Sequence, residues 1–472
     1  MTNLYQYGMV GLGTMGANLV LNMVDKGYRV AGFDKNERAV NALNLHGTPE
    51  QLWATADLES FVNILEKPRK IFIMVPAGAL VDEVINQLVP LLQPEDLLVD
   101  CGNSFFQDTH RRIQQLLPAG LLFMGMGVSG GETGARLGPS IMPGGNQQVY
   151  LQIEPLLKAI AAKVHDEPCV AYLGEGAAGH YIKMVHNGIE YGLMQLIAES
   201  YHLLKSVGQF DNDRLSQTFH DWNQGRLHAY LIAITAAVIN QGDDRGEGQL
   251  VDKILDKAQQ KGTGAWTSQE AMRSGAAVPI LDAAVTQRIL SSIKEERQKA
   301  AGINPLPPPV SSLSAEEMTN WVEEALYASF ILAYAQGLAL IRLGSRQYGF
   351  NTSLPAVTKV WRGGCIIRAD LLELISTALD HDPHAPNILL TPEIASLLQT
   401  GMPYVRKLVQ TAIEHQIPVP AFSAGLSYYD SYHSVWLPAN LIQAQRDFFG
   451  AHTYQRIDRE GFFHTQWEEK IR

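Results

Sequence analysis

Apolar and polar positions along the chain fall into two regimes. From residue 4 to about 175, short apolar runs alternate with segments of helical periodicity: "QYGMVGLG", "YRVAGFD", "KIFIMVPA", "DLLVDCGN", "LLFMGMGVSGG" and "SIMPGG". The runs end in Gly, Pro, Asn and Ser. This alternation predicts a parallel sheet wrapped by helices, with ligands bound outside the carboxyl ends of the strands. Beyond "YLGEGAAGH" the pattern changes to long amphipathic stretches at 178–206, 212–240, 249–260, 269–275, 280–300 and 315–349, which predict a mostly helical region. Three parts are therefore expected: an α/β domain at 1–177, a large all-α domain at 178–434, and a C-terminal tail at 435–472.

The Pro-rich "GINPLPPPVSS" (302–312) divides the helical region and reads as a surface connection or interhelical brace. "HNGIEYGLMQLIAESYHLLK" and "EEALYASFILAYAQGLALIR" share length and small-residue spacing, which raises a duplicated helical half. The tail is rich in aromatic residues and carries Arg446, His452 and Arg456, so it is expected to dock on its own body or on a partner subunit.

One stretch of the helical region carries candidate chemistry. In "KMVHNGIEYG", Lys183, His186, Asn187, Glu190 and Tyr191 fall within an arc of roughly 140° on a helical wheel, with Ile182, Val185 and Ile189 on the other side. Spacing alone favours a solvated face. The alternative is a site, with Lys183 as a base and Glu190 as an acid two turns further along.

A second signal lies at the N-terminus. "GLGTMG" places Gly11, Gly13 and Gly16 in G-x-G-x-x-G spacing after an apolar run and before a helical pattern, with Leu12, Thr14 and Met15 completing the loop. Asp34 closes the next run about 20 residues on, as a Rossmann dinucleotide fingerprint requires. A carboxylate there accepts both ribose hydroxyls of NAD and repels the 2′-phosphate of NADP, although Lys35 and Asn36 stand beside it. NAD is thus modestly favoured. Ser129, Gly130 and Gly131 form a loop whose N–H groups can surround an acidic substrate, and Asn103 ends another strand.

Bulk properties narrow the partners. A chain of 472 residues with 37 Lys plus Arg against 48 Asp plus Glu, net −11, is a poor match for nucleic acid or an anionic membrane. Three cysteines, Cys101, Cys169 and Cys365, fit a reducing compartment rather than a disulfide framework. The first residues lack a signal-peptide pattern, so a soluble, cytoplasmic protein is expected. His381, Asp382 and His384 read as a turn around Pro383, and no metal is expected.

Taken in order, "GLGTMG", "MVPAG", "DCGNS", "GVSGGETGARLGPSIMPGG", "IKMVHNGIEYG", "QKGTGAWT" and "QAQRDFFGAHTY" resemble the decarboxylating 6-phosphogluconate dehydrogenases over nearly the whole chain. That resemblance implies oxidation of 6-phosphogluconate at C3, loss of CO2 and protonation of the enediol to ribulose 5-phosphate, without a metal, in the pentose phosphate pathway. It implies Lys183 as base and Glu190 as acid, and Asn103, Ser129, Gly130, Gly131, His186 and Asn187 around the sugar acid. Tyr191, Lys261, Arg288, Arg446 and His452 would grip the phosphate, the last two coming from the tail of the other subunit of a homodimer.

The cofactor residues implied are Gly11 to Gly16, Asp34 to Asn36, Val75, Pro76, Ala77 and Asn103. NADP-using relatives place Asn-Arg-Ser or Asn-Arg-Thr where this chain has Asp34-Lys35-Asn36, so NAD use or tolerance of both cofactors is expected. Two other readings are a non-decarboxylating β-hydroxyacid dehydrogenase, usually shorter and without the phosphate-gripping tail, and a catalytically silent dinucleotide-binding protein.

Overall fold

The computed structural model describes residues 4–260, 262–303 and 314–467. Lys261 and most of the Pro-rich break lie outside the described residues. The described chain forms two compact units, Met1–Gly425 and Leu426–Arg472.

In the first unit seven strands make one sheet: β1 (Tyr7–Val10), β2 (Val30–Phe33), β3 (Leu52–Thr55), β4 (Lys70–Ile73), β5 (Leu97–Asp100), β6 (Leu122–Ser129) and β7 (Ser140–Gly144). Their order is β3-β2-β1-β4-β5-β6-β7. Successive residues of a strand enter different cores: Met9, Phe72, Leu97 and Val99 join one buried cluster, and Val10, Ile71, Ile73 and Leu98 the other. Both faces are covered, as a sheet fed by crossover helices requires. Burying each such side chain stabilises the fold by about 1.5–3 kcal/mol.

The first six strands are parallel, and strand order reverses between β1 and β4, which opens a crevice at their carboxyl ends. Two details depart from the sequence reading. β3, "LWAT", does not stand out as an apolar run because its residues alternate between buried and half-buried. β7 is antiparallel to β6, because the connection from Ser129 to Ser140 is shorter than the roughly dozen residues that a parallel return needs.

From Ala178 onward the unit is helical. The helices Ala178–Ser206 and Ala315–Tyr348 pack together through missing side chains: a Cβ on Gly337 would stand 2.4 Å from Ile189 and one on Gly344 2.3 Å from Tyr181. A capping box between Ser314 and Glu317 starts the second helix, and Gly349 ends it with φ of 66°. Its apolar window is long enough to cross a membrane, yet 83% of that window is buried inside the protein, so it is a core helix.

Three expected helices are broken. The 212–240 stretch splits into Asn212–Trp222 and Tyr230–Asn240, where Asn223 Oδ1 accepts from Ala229 N at 3.0 Å and so offers the backbone an alternative to helix. The 280–300 stretch breaks at Ile293 into Pro279–Ser292 and Lys294–Ile303. The 249–260 stretch keeps only a turn at Leu250–Asp252; Ile254 and Leu255 stay exposed, and without a packed apolar face a short helix is not stable.

The second unit is held by a residue that the sequence did not single out. Asp447, on the helix Ala439–Gly450, accepts from Thr453 N (2.9 Å), Thr465 N (3.1 Å) and Trp467 Nε1 (2.9 Å) and pairs with His464 Nδ1 (2.9 Å). Burial opposes its charge, but His464 and these donors hold its carboxyl well below the usual range. Val435, Trp436, Phe449 and Phe462 remain exposed in the single chain.

Candidate active site

The site begins with a close crossing of backbone on backbone. Helix Ala178–Ser206 lies so tightly on β6 and β7 that a Cβ on Gly179 would meet Gly125 O at 2.3 Å and Met142 O at 2.4 Å. One on Gly127 would stand 2.4 Å from Lys183 Cβ. Only glycines permit this approach, and it drives Lys183 down onto the carboxyl end of β6.

Consequently the polar stripe is not solvated. Lys183 is 6% exposed, and His186 and Asn187 are buried with it. Burial lowers the Lys183 pKa from 10.5 to about 8, although the Glu190 charge pulls the other way. Burial raises the Glu190 carboxyl, opposed by Lys183 and Arg288. Two groups on one helical face are thereby pushed towards neutrality from opposite sides.

His186 sits between them. Its Nδ1 is 3.3 Å from Lys183 Nζ, 3.2 Å from Asn187 Oδ1 and 3.9 Å from Glu190 Oε2, while Nε2 is 3.3 Å from Ser129 Oγ. Burial first, and the Lys183 charge second, hold its pKa well below the ordinary value, so the ring is neutral. When Lys183 donates to Nδ1, the ring proton lies on Nε2 and Nε2 donates to Ser129 Oγ. The Trp361 ring packs edge-on against the imidazole at 5.8 Å.

A cavity of about 1140 Å³ joins this helix to the crevice of the sheet. Gly13, Thr14, Met15, Gly16, Val75, Pro76, Ala77, Asn103, Ser129, Gly130 and Gly131 line it on the sheet side, and Lys183, Asn187, Glu190, Tyr191 and Arg288 on the helical side. The Arg288 guanidinium lies over the Tyr191 ring, 3.3 Å from its centroid. His186 forms support behind this wall, and Gly11, Leu12, Asp34, Lys35 and Asn36 stand at the ends of β1 and β2 without lining it. Arg446 and His452 belong to the second unit.

The glycine loop fits a dinucleotide. Gly11 has φ of 93°, and a Cβ there would meet Met74 O at 2.4 Å; one on Gly16 would meet Gly11 O at 1.9 Å. A Cβ on Gly13 would meet nothing within 4 Å, so open space lies over a helix N-terminus that has no acidic residue in its first turn. That is the requirement for a pyrophosphate. Asp34 accepts from Leu12 N (2.7 Å) with Oδ2 and from Asn36 N (2.9 Å) with Oδ1, which ties β2 to the loop.

Sequence reasoning missed the far wall. Gln259, Gln260, Thr263 and Trp266 also line the cavity, and Trp266 packs 5.1 Å from Phe105. Thr263 and Trp266 belong to the helix Thr263–Ser274, which Gly264 brings against Tyr191; a Cβ there would stand 2.4 Å from its ring. "QKGTGAWT" held this signal in its glycines, but the only residue drawn from it was Lys261.

Fold and site together define a nicotinamide dinucleotide-dependent dehydrogenase, with a buried lysine facing the cavity from a helix outside the Rossmann sheet. Residues 6–174 match the NAD binding domain of 6-phosphogluconate dehydrogenase, and residues 179–467 match the 6-phosphogluconate dehydrogenase C-terminal domain. The chain belongs to the 6-phosphogluconate dehydrogenase family. It is 49% identical to the decarboxylating 6-phosphogluconate dehydrogenase of Synechococcus elongatus over 469 residues, covering 98% of this chain and 99% of that one. Identity is 46% over 464 residues to the NADP(+)-dependent decarboxylating enzyme of Bacillus subtilis, with 98% and 99% covered. The Plasmodium falciparum 6-phosphogluconate dehydrogenase, solved in apo form, with its cofactor NADP+ and with its substrate 6-phosphogluconate, superposes with a TM-score of 0.95 at 39% identity, covering 98% of this chain and 100% of that one.

Proposed function

We propose that the protein oxidises and decarboxylates 6-phosphogluconate to ribulose 5-phosphate and CO2, with Lys183 as base and Glu190 as acid. The observation that carries this reading is the pair itself: a lysine whose pKa falls to about 8 and a carboxyl whose pKa is raised, on one face of one helix, in one cavity with the dinucleotide loop. A silent binding protein would have no use for such a pair, since burying both groups costs stability.

When bound, the nicotinamide supplies the hydride acceptor for C3. Neutral Lys183 Nζ takes the proton of the C3 hydroxyl as that carbon is oxidised. The resulting ammonium then donates to the keto oxygen while the C1–C2 bond breaks and CO2 leaves, which gives an enediol. Protonated Glu190 delivers its proton to carbon as Lys183 withdraws the enediol hydroxyl proton, and the ketone forms. Ser129, Gly130, Gly131, Asn103 and Asn187 hold the sugar acid, with His186 supporting Ser129 and Asn187 from behind. Tyr191, Lys261 and Arg288 take the phosphate, helped by the N-terminus of the Thr263–Ser274 helix. Arg446 and His452 complete that pocket from the partner's tail in a homodimer, so that 1–177 binds the cofactor, 178–434 the substrate, and 435–472 the neighbouring site.

We read Asp34 as favouring NAD, because a carboxylate at the end of the second strand accepts ribose hydroxyls and repels a 2′-phosphate. Gly11 to Gly16, Lys35, Asn36, Val75, Pro76 and Ala77 would hold either dinucleotide. Steady-state turnover of 6-phosphogluconate with each cofactor, with CO2 release measured in parallel, tests substrate and cofactor together. A higher kcat/KM with NAD is expected; the reverse ranking removes the role given to Asp34, and turnover without CO2 removes the decarboxylation.

A further inference from the structure

Arg112 has no place in the reaction as written, yet it is one of the largest fully buried side chains of the chain, 1% exposed, on the helix Phe106–Leu116. All five of its N–H groups have partners. Nε donates to Asp82 Oδ1 (2.8 Å); Nη2 donates to Asp82 Oδ2 (3.1 Å) and to Gly78 O (3.0 Å); Nη1 donates to Asp100 Oδ2 (3.3 Å) and to Ser104 Oγ (3.3 Å).

Asp82 lies on the helix Ala79–Leu88, and the other acceptors belong to two loops that line the cavity. Gly78 closes the loop after β4 that presents Val75, Pro76 and Ala77, and Asp100 and Ser104 bracket the loop after β5 that presents Asn103. Asp100 shapes the second loop further: Oδ1 accepts from Gly102 N at 3.0 Å and Oδ2 from Ser104 Oγ at 2.6 Å. The loops also touch, since a Cβ on Gly102 would lie 3.1 Å from Val75 O.

We infer that Arg112 is a positioning residue that sets the dinucleotide-binding loop after β4 and the Asn103 loop after β5 at a fixed spacing, so that binding of cofactor and of substrate depends on one buried guanidinium. The inference rests on the roles proposed for those loops. A planar fork of five donors can serve a carbonyl, a hydroxyl and two carboxylates at once, whereas an ammonium offers three donors from a single point. Arg111 supplies the contrast. It also pairs with Asp82, at 3.0 Å, but it is half exposed and reaches neither loop backbone.

The test compares Arg112→Lys, Ser104→Ala and Arg111→Gln with the unchanged protein, by fluorescence titration with NAD and NADP and by steady-state kinetics with 6-phosphogluconate. For Arg112→Lys a tenfold or larger rise in dinucleotide Kd is expected, with a tenfold or larger fall in kcat and a higher KM for 6-phosphogluconate. Arg111→Gln should stay within twofold throughout. A folded Arg112→Lys protein with Kd and kcat within twofold, showing only a lower Tm, would overturn the inference and leave Arg112 a stability residue. Should Arg112→Lys not fold, Ser104→Ala decides: a several-fold rise in Kd and KM supports the positioning role, and unchanged constants refute it. Failure of the unchanged protein to turn over 6-phosphogluconate would count against the proposed reaction alone, because the dinucleotide titration still reads the effect of Arg112.

Discussion

Replacing Lys183 by Met should make the protein more stable while removing its activity. Lys183 titrates at about 8 in the folded protein against an ordinary 10.5, with burial as the main cause. Between those two values the unfolded chain holds more protons than the folded one, so stability rises with pH across that window. Below it, the folded protein carries the whole cost of a buried ammonium: a difference of about 2.5 at about 1.36 kcal/mol each, or about 3 kcal/mol. Met fills a similar volume without a charge. Near neutral pH, Lys183→Met should therefore melt about 3 °C higher than the parent, since unfolding entropy scales with chain length. The gap should close as pH climbs from about 8 towards 10.5. In the same preparation kcat should fall by about 10²–10⁴-fold, with dinucleotide Kd unchanged. The assays are thermal melts across that pH range and kinetics at one pH. A variant that melts lower, or by an amount independent of pH, would refute burial as the cause of the lowered pKa; retained turnover would refute the base.

Other perturbations separate the remaining roles. Glu190→Gln keeps the shape and removes the acid, so cofactor reduction should persist better than deuterium incorporation from D2O into ribulose 5-phosphate; equal losses would contradict a role confined to the last step. Gly127→Ala places a methyl 2.4 Å from Lys183 Cβ and should lower kcat at least tenfold while dinucleotide binding, measured by titration, stays within twofold. Truncation before Arg446 should raise the KM for 6-phosphogluconate strongly, and an unchanged KM would show that the tail does not complete the pocket.

The parts legible in the sequence were those that repeat a local rule. Gly11, Gly13, Gly16 and Asp34 announce themselves by spacing, and Lys183 to Tyr191 by helical period, because both features are built from a single strand–turn–helix or a single helix. What stayed hidden needs contacts between distant segments. Gly125, Gly127 and Gly179 look like ordinary small residues until helix and sheet are seen to cross. The wall at Thr263 and Trp266 depends on Gly264 meeting Tyr191, and Asp447 and Arg112 gain meaning only from partners that the tertiary fold delivers. The broken helix at 223–229 failed for another reason: period alone does not register a side chain that competes for backbone N–H groups.

The glycine crossing under Lys183 fixes its amine to the floor of the site and leaves the walls free. Depth is measured from β6 through backbone atoms, whereas Thr263, Trp266, Arg288 and Asn103 reach the same space from separate loops and helices. Evolution, or a mutant library, can therefore redraw which acid the enzyme accepts by changing the walls. The Lys183 amine would stay at the same height throughout.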